Sequence, residues 1–306
     1  MADLDGRSRG IPPEKGNQGA VPASSPVVSS PIPAEPVLKW AGGKRRLVEQ
    51  YARHFRPRGG FGNYHEPFFG GGAVYFWLWN EGRLKDKHCF LSDINPELVN
   101  LYQMLQSCPS PLYILLEEHQ QQHGEEHYYA VRKTQPAQLS PIERAARLLY
   151  LNRTCFNGLY RENSKGEFNV PMGRYANPRI LHQPGLEAAS LALSPATIAC
   201  QRYSEVEAQA QPGDLVYFDP PYHPLNPTSS FTSYTQHDFS ENDQVELAGL
   251  FRRLSERDVK VRLSNSDAPL IRDLYRGFKQ VKIQAARAIN SKADRRQKIT
   301  ELLIIG

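Results

Sequence analysis

The chain predicts a doubly wound α/β sheet, and three kinds of observation predict it. Short apolar runs end in an acid: Cys89-Phe90-Leu91-Ser92-Asp93 and Leu215-Val216-Tyr217-Phe218-Asp219 read as buried strands whose carboxyl ends meet a turn. Glycine clusters, Gly42-Gly43 and Gly70-Gly71-Gly72, precede helical patterns. Helices with recognisable start signals alternate with the strands, the order that produces a sheet covered on both faces.

Residues 1–36 are dominated by Pro, Ser, Gly and Ala and bury too little surface to offset ordering entropy, so a disordered tail is expected. The tail has no apolar core of signal-peptide type, and no run of membrane-spanning length occurs, so a soluble intracellular protein is expected. Leu38-Lys39-Trp40-Ala41-Gly42-Gly43-Lys44 opens the folded part. Leu47, Val48, Tyr51 and Phe55 then keep one face of a predicted helix apolar. Lys44 and Arg45 stand at its start, where an anionic or polar ligand is favoured. A P-loop in its usual form is excluded, because Arg45 takes the Ser/Thr position and the earlier glycine is missing.

His65-Glu66-Pro67-Phe68-Phe69-Gly70-Gly71-Gly72-Ala73 places a glycine turn ahead of an apolar segment through Trp79. Such a turn lets a cofactor approach the backbone, but it is not G-x-G-x-x-G, which disfavours a dinucleotide. Asp93 ends the second strand, where a carboxylate suits a ribose diol; an N-cap or turn acid is the plainer alternative. Asn95-Pro96 starts a helix as N-cap and first-turn proline, with Leu98, Leu101, Tyr102 and Leu105 as its buried stripe. Residues 106–150 read as polar and helical. His119, His123 and His127 fall at i, i+4 and i+8 there, but Gly124, Glu125 and Glu126 favour a solvated face over a metal site. Ile142 through Leu151 predicts a buried helix.

Asn152-Arg153-Thr154-Cys155-Phe156-Asn157-Gly158-Leu159-Tyr160-Arg161, continued through Gly166–Tyr175, alternates Arg and Asn with aromatics and turn glycines. Arg and Asn suit base edges and phosphates, and aromatics suit stacking or wedging between bases; a long polar loop is the plainer reading. The segment from Tyr222 to Phe239 is a long loop beside a candidate site. Ser240 with Asp243 caps a helix whose apolar face is Leu247, Leu250, Phe251 and Leu254. Strands are expected at Val259–Leu263, Lys279–Ile289 and Leu302–Ile305.

The formal charge is +5, and the tail carries −1 of it, leaving +6 on residues 37–306. A basic folded part fits a polyanionic partner. Cys89, Cys108, Cys155 and Cys200 are widely spaced, which points to a reducing compartment and no structural zinc. Asp219-Pro220-Pro221-Tyr222 is the most informative stretch, although a strand-ending turn is its plainer reading. The two prolines restrict φ and hold their carbonyls rigid. The carboxylate and the Pro220 carbonyl match the two hydrogens of an exocyclic amine, and Tyr222 offers a stacking face.

Together these blocks resemble the DNA adenine methylase (Dam) family, the α-order S-adenosylmethionine-dependent amino-methyltransferases, from about Leu38 to Ile305. The matching blocks are Lys39–Lys44, Glu66-Pro67-Phe68 with Gly70 and Gly72, Asp93-Ile94-Asn95, Asn152–Tyr175 and Asp219–Tyr222. The resemblance implies a Rossmann-like methyltransferase sheet over 37–95 and 186–306, with a mostly helical DNA-recognition insert at 96–185. It implies a cofactor pocket of Trp40, Lys44, Glu66, Phe68, Gly70, Gly72, Asp93 and Asp219. Asp219, Pro220, Pro221 and Tyr222 are the implied catalytic residues. Arg161 matches the family's base-reading arginine, Lys39 its partner at the outer base, and Phe156 an aromatic inserted into the duplex. Asn157, Leu159, Pro171 and Tyr175 align with further DNA-contacting positions. The implied target is adenine in GATC, the implied partner double-stranded DNA, and the protein a cytoplasmic, nucleoid-associated monomer. The Gly71 position, where relatives often carry Ala or Cys, and the Pro-rich tail depart from the pattern.

The chemistry so implied is direct transfer from S-adenosylmethionine to an extruded base. Cytosine amino-methylation is the alternative, since the same acceptors serve either amine. Carbon-5 cytosine methylation is rejected, because none of the four cysteines follows a proline. Glutamine methylation would place Asn at 219, and a catalytically silent DNA-binding regulator would not need intact Asp93 and Asp219.

Overall fold

The computed structural model describes residues 32–45, 47–225, 239–285 and 299–306. Its strands are β1 (Tyr64–Glu66), β2 (Cys89–Asp93), β3 (Ala196–Cys200), β4 (Leu215–Phe218), β5 (Lys260–Ser266), β6 (Lys279–Ala285) and β7 (Ile299–Ile305). They form one sheet in the order 3-2-1-4-5-7-6, parallel except for β7, which runs against β5 and β6. The helices are α1 (Val48–Tyr51), α2 (Ala73–Asn80), α3 (Pro96–Ser107), α4 (Pro109–Gln121), α5 (Glu125–Lys133), α6 (Pro141–Thr154), α7 (Gln183–Leu193), α8 (Val206–Gln209), α9 (Glu241–Glu256) and α10 (Pro269–Leu274). This is the doubly wound, Rossmann-like sheet the sequence predicts, with helices α3 to α7 lying between β2 and β3 along the chain.

Strand β4 explains why the sheet needs two covering layers. Leu215 and Tyr217 join the core built with α2, α3 and α6, while Val216 and Phe218 join the core built with α9 and α10. All four are fully buried, and each large apolar side chain so placed contributes about 1.5–3 kcal/mol. Helix starts follow their sequence signals. The Asn95 side chain accepts from the N–H groups of Glu97 and Leu98 at 3.0 and 3.1 Å, and Ser240 with Asp243 forms a reciprocal capping box on α9.

Several elements differ from expectation. The helix expected directly after Gly42-Gly43 begins only at Val48 and continues as one 3₁₀ turn, Ala52–His54, although Leu47, Val48, Tyr51 and Phe55 are buried as patterned. The 106–150 stretch is broken at Cys108-Pro109, Gly124 and Pro136, so the three histidines do not share a helix. His119 bonds His127 across the break at 2.9 Å, and His123 bonds the Tyr150 hydroxyl at 3.0 Å. Strand β3 escaped prediction because it is an edge strand with short side chains, of which only Ile198 is buried. The end of the expected tail packs onto the fold: Ala34 is buried, and the Asn80 side chain bonds its N–H and carbonyl at 3.0 and 2.8 Å. Residues 1–31 of the expected tail, most of the loop after Tyr222 (226–238) and the expected strand extension at 286–289 lie outside the described residues. Among the described residues no helix is long and apolar enough to cross a membrane.

At the amino end of β4, Asp214 accepts from the N–H groups of Asn63 (2.7 Å) and Gln211 (3.0 Å) and contacts His65 Nε2 at 3.1 Å. Burial pushes its carboxyl up, but these donors outweigh burial and hold it below the usual range. A carboxyl depressed by folding adds stability above its unfolded value, and that stability is lost as pH falls through the folded value. Asp214→Ala should therefore lower stability by about 2–4 kcal/mol, seen as a lower urea midpoint at unchanged slope. The gap to the wild type should narrow on acidification below about pH 4.

Candidate active site

The winding of the sheet reverses between β1 and β4, and ligands of open α/β sheets collect at the carboxyl ends of strands flanking such a point. The turn leaving β1 is shaped by Gly70 and Gly72, with φ of 49° and 67°. A Cβ on Gly72 would lie 2.6 Å from the Phe69 ring, and one on Gly70 would lie 3.0 Å from the Trp40 indole. Handedness and close approach together demand glycine there. The Gly70 N–H donates to Asp93 Oδ2 at 2.9 Å and the Asn95 N–H to Oδ1 at 3.0 Å, so Asp93 ties the β1 turn to the end of β2. Burial pushes the Asp93 carboxyl up against the pull of these donors. Two oxygens offering about four lone-pair directions keep acceptor capacity beyond these two bonds.

Glu66 is buried and accepts from the Tyr64 hydroxyl at 2.8 Å, and burial pushes its carboxyl well up. Phe68 stacks on Tyr203 with centroids 5.2 Å apart and meets Phe218 and Phe239 edge-on, which places it beside the strand that carries Asp219. Trp40 bridges two regions: its indole covers Gly70, and its ring centroid lies 5.2 Å from that of Tyr160.

Lys44 is buried rather than presented at a helix start. Its ammonium lies 2.9 Å from Asp219 Oδ1, donates to the Gly42 carbonyl at 2.6 Å and sits 4.6 Å from the Tyr222 ring centroid. The ion pair lacks the angles of a directed hydrogen bond, so among the described residues Oδ1 is a buried acceptor without a directed donor. Burial pushes the Asp219 carboxyl up to about 6, with Lys44 opposing the rise and Glu301 adding to it. Pro220 is buried. The Pro221 carbonyl accepts from Gln244 Nε2 at 2.9 Å, Gln244 Oε1 accepts from Asn265 at 2.9 Å, and Asn265 Oδ1 accepts from the His223 N–H at 3.1 Å. The turn is thereby held from α9 and β5. The Tyr222 hydroxyl donates to Glu301 on β7 at 2.8 Å.

A second group surrounds Asn152 at the end of α6. This buried side chain accepts from the Lys39 N–H at 2.9 Å and donates to the carbonyls of Lys39 and Gly158 at 2.8 and 3.0 Å. Lys39 reaches Tyr175, with its ammonium 5.0 Å from the ring centroid. Phe156 is half exposed; its N–H bonds the Pro171 carbonyl at 2.9 Å, and Asn157 beside it adopts φ 57°. Arg161 is exposed, and its Nε donates to Asn169 Oδ1 at 2.7 Å. Leu159 is the exception among these positions, since it packs inward against the core.

Sequence reasoning missed Gln244, Asn265, Glu301, Asn169 and the bridging part of Asn152. Two left a signal: Gln244 interrupts the apolar stripe of α9 one turn before Leu247, and Asn265 lies in a polar run at the carboxyl end of an apolar strand. Glu301 left none, because only the antiparallel course of β7 brings it to Tyr222.

Known proteins can be compared with this arrangement. The family model of D12 class N6 adenine-specific DNA methyltransferases matches residues 40–289. The chain is 41% identical over 279 residues to the Type II methyltransferase M1.LlaDCHI of Lactococcus lactis subsp. cremoris, covering 89% of this chain and 95% of that one. It is 40% identical over 290 residues to the Type II methyltransferase M.MjaIII of Methanocaldococcus jannaschii, covering 89% and 99%. To the DNA adenine methylase of Vibrio cholerae it is 38% identical over 272 residues, covering 88% and 94%. With the match spanning both glycine turn and Asp-Pro-Pro-Tyr, the chain belongs to the D12 class of N6 adenine-specific DNA methyltransferases.

Proposed function

We propose that the protein transfers a methyl group from S-adenosylmethionine to the N6 amine of adenine in duplex GATC sites, after turning the base out of the helix. The observation that carries this reading is Asp219 Oδ1: among the described residues it is a buried acceptor without a directed donor, and the Lys44 ammonium that contacts it also contacts the face of Tyr222. The crevice residues fit S-adenosylmethionine. Asp93 keeps acceptors for two ribose hydroxyls, the Gly70–Gly72 turn offers backbone at close range, and Trp40, Lys44 and Phe68 would wall the pocket above buried Glu66. When bound, the cofactor supplies an electrophilic methyl group on a sulfonium.

The rest is done by the chain. A base inside the duplex cannot present its amine, and extruding it costs about a few kcal/mol. Stacking on Tyr222 returns roughly 1–3 kcal/mol. The amine is a weak nucleophile while its lone pair is delocalised into the purine. Donation of its two hydrogens to Asp219 and to the Pro220 carbonyl favours a pyramidal nitrogen with an exposed lone pair. Proline geometry and the Gln244–Asn265 bonds hold the Asp219–Tyr222 turn in place for that alignment. Asp219 then meets the positive charge on the nitrogen and takes the released proton. The Lys44 ammonium contacts both the same carboxylate and the same ring, so the incoming base would take over contacts that Lys44 gives up.

Recognition is assigned to the insert at 96–185, with 37–95 and 186–306 as the catalytic part. Exposed Phe156 would wedge into the duplex, and Arg161, braced by Asn169, would read a base edge with Lys39 at the outer pair. Asn157, Pro171 and Tyr175 would meet the backbone around them, and Leu159 would support the loop from below. The +6 charge of residues 37–306 favours the duplex. A cytoplasmic monomer acting alone on DNA is the simplest form of this reading.

Asp219→Ala should abolish transfer of labelled methyl groups to GATC duplexes while gel-shift binding persists; a fully active variant would refute the role of Asp219. The ionised carboxylate is the working form, so kcat/KM should fall about tenfold per pH unit below roughly pH 6. Since the Lys44 ammonium holds that carboxyl down, Lys44→Met should move this acid limb to higher pH, and an unmoved limb would exclude Asp219 as the titrating group. Arg161→Ala should relax discrimination at one base pair by about 1–3 kcal/mol across a panel of single-substituted duplexes. Equal losses on every duplex would make Arg161 a phosphate contact.

A further inference from the structure

Strand β7 runs antiparallel to β5 and β6, so its first residues lie level with the carboxyl ends of the parallel strands. Glu301 pairs with Ser266 on β5 and Ile283 on β6, and this register brings its side chain to the Asp-Pro-Pro-Tyr turn. There it accepts from the Tyr222 hydroxyl at 2.8 Å in a half-buried contact. The bond anchors the far end of the ring whose face Lys44 covers.

We propose that Glu301 is a positioning residue for methyl transfer: its carboxylate fixes the Tyr222 ring against which the target base stacks and keeps a second negative charge beside Asp219. The assignment rests on the reading of Asp219 and Tyr222 given above. A tyrosine ring tethered only by its own backbone can swing about two side-chain torsions, and a tether at the hydroxyl removes that freedom before the base arrives. Because Glu301 acts through Tyr222, it need touch neither base nor cofactor. The groups facing Asp219 are Lys44 from the opening segment, Tyr51 from α1, Glu66 from β1, Tyr217 from β4, Tyr222 from the turn and Glu301 from β7. Lys44 is the cation among them, and Glu66 and Glu301 are the two other carboxyls. Glu66 is bonded to Tyr64 inside the core, whereas Glu301 shares Tyr222 with the site.

The test compares wild type, Glu301→Gln, Glu301→Ala and Asp219→Ala on unmethylated plasmid DNA with labelled S-adenosylmethionine across pH 5–9. Glu301→Ala should lose kcat by roughly tenfold to a hundredfold, the scale of a hydrogen bond to a charged group. Glu301→Gln, which still accepts from the hydroxyl and conserves shape, should recover most of that loss. Both should shift the acid limb of kcat/KM to lower pH, because a negative charge near Asp219 has been removed; a purely structural defect would leave that limb in place. An unmoved limb in Glu301→Gln, or a Gln variant as impaired as the Ala variant, overturns the inference. If Asp219→Ala is active in the same assay, the underlying reading of the site fails instead.

Discussion

A carboxylate set at the end of a fully buried strand is the constraint around which this molecule is arranged. Asp219 follows four consecutive residues buried on both faces of the sheet, so its charge is drawn away from water as soon as β4 is in place. The buried ammonium of Lys44, on the opening segment, is the counter-charge. The fold accordingly begins with a loop from Leu38 to Lys44 and a helix delayed to Val48. Helical geometry immediately after Gly43 would carry Lys44 along the helix face instead of into the site.

The same opening segment links the two groups of functional residues. Lys39 is held by Asn152 at the end of α6, and its neighbour Trp40 lies on the Gly70 turn and near Tyr160. Residues 39–44 thus meet the proposed recognition loops at one end and the Asp219 carboxylate at the other. A displacement of the Phe156 loop cannot leave the crevice untouched, because Asn152 bonds both Gly158 and Lys39. The proposed recognition loops and the crevice are thus joined over a short stretch of backbone.

Legibility of the sequence divided along physical lines. Features set by local chemistry could be read directly: β2 and β4 from apolar runs ending in acids, α3 and α9 from their caps, the β1 turn from its glycines. Features set by tertiary pairing could not. Edge strand β3 draws its definition from backbone bonds to β2 and has almost no apolar signature. Lys44 lay at a predicted helix start because a lysine after two glycines looks like one, and only the burial of Asp219 redirects it. Leu159 reads as a surface contact in a polar loop, yet that loop folds back through the Cys155–Met172 bridge and turns the side chain toward the core. Glu301 and Asn169 are ordinary polar residues in sequence, and their partners lie 79 and 8 positions away.

The two acids flanking β4 separate stability from chemistry within one strand. Asp214 at the amino end is surrounded by donors that more than offset its burial, so its charge is welcome and supports the fold at neutral pH. Asp219 at the carboxyl end has too few directed donors, and its rise from 3.8 to about 6 corresponds to roughly 3 kcal/mol against the ionised form. The signs are opposite: acidification removes stability at Asp214 and relieves a penalty at Asp219. A site satisfied by its own protein would have nothing to offer an incoming amine. Under the proposed reading the Asp219 carboxylate keeps its acceptor capacity for the amine, while the amino end of the strand is fixed by the bonds of His65 and Asn63 to Asp214.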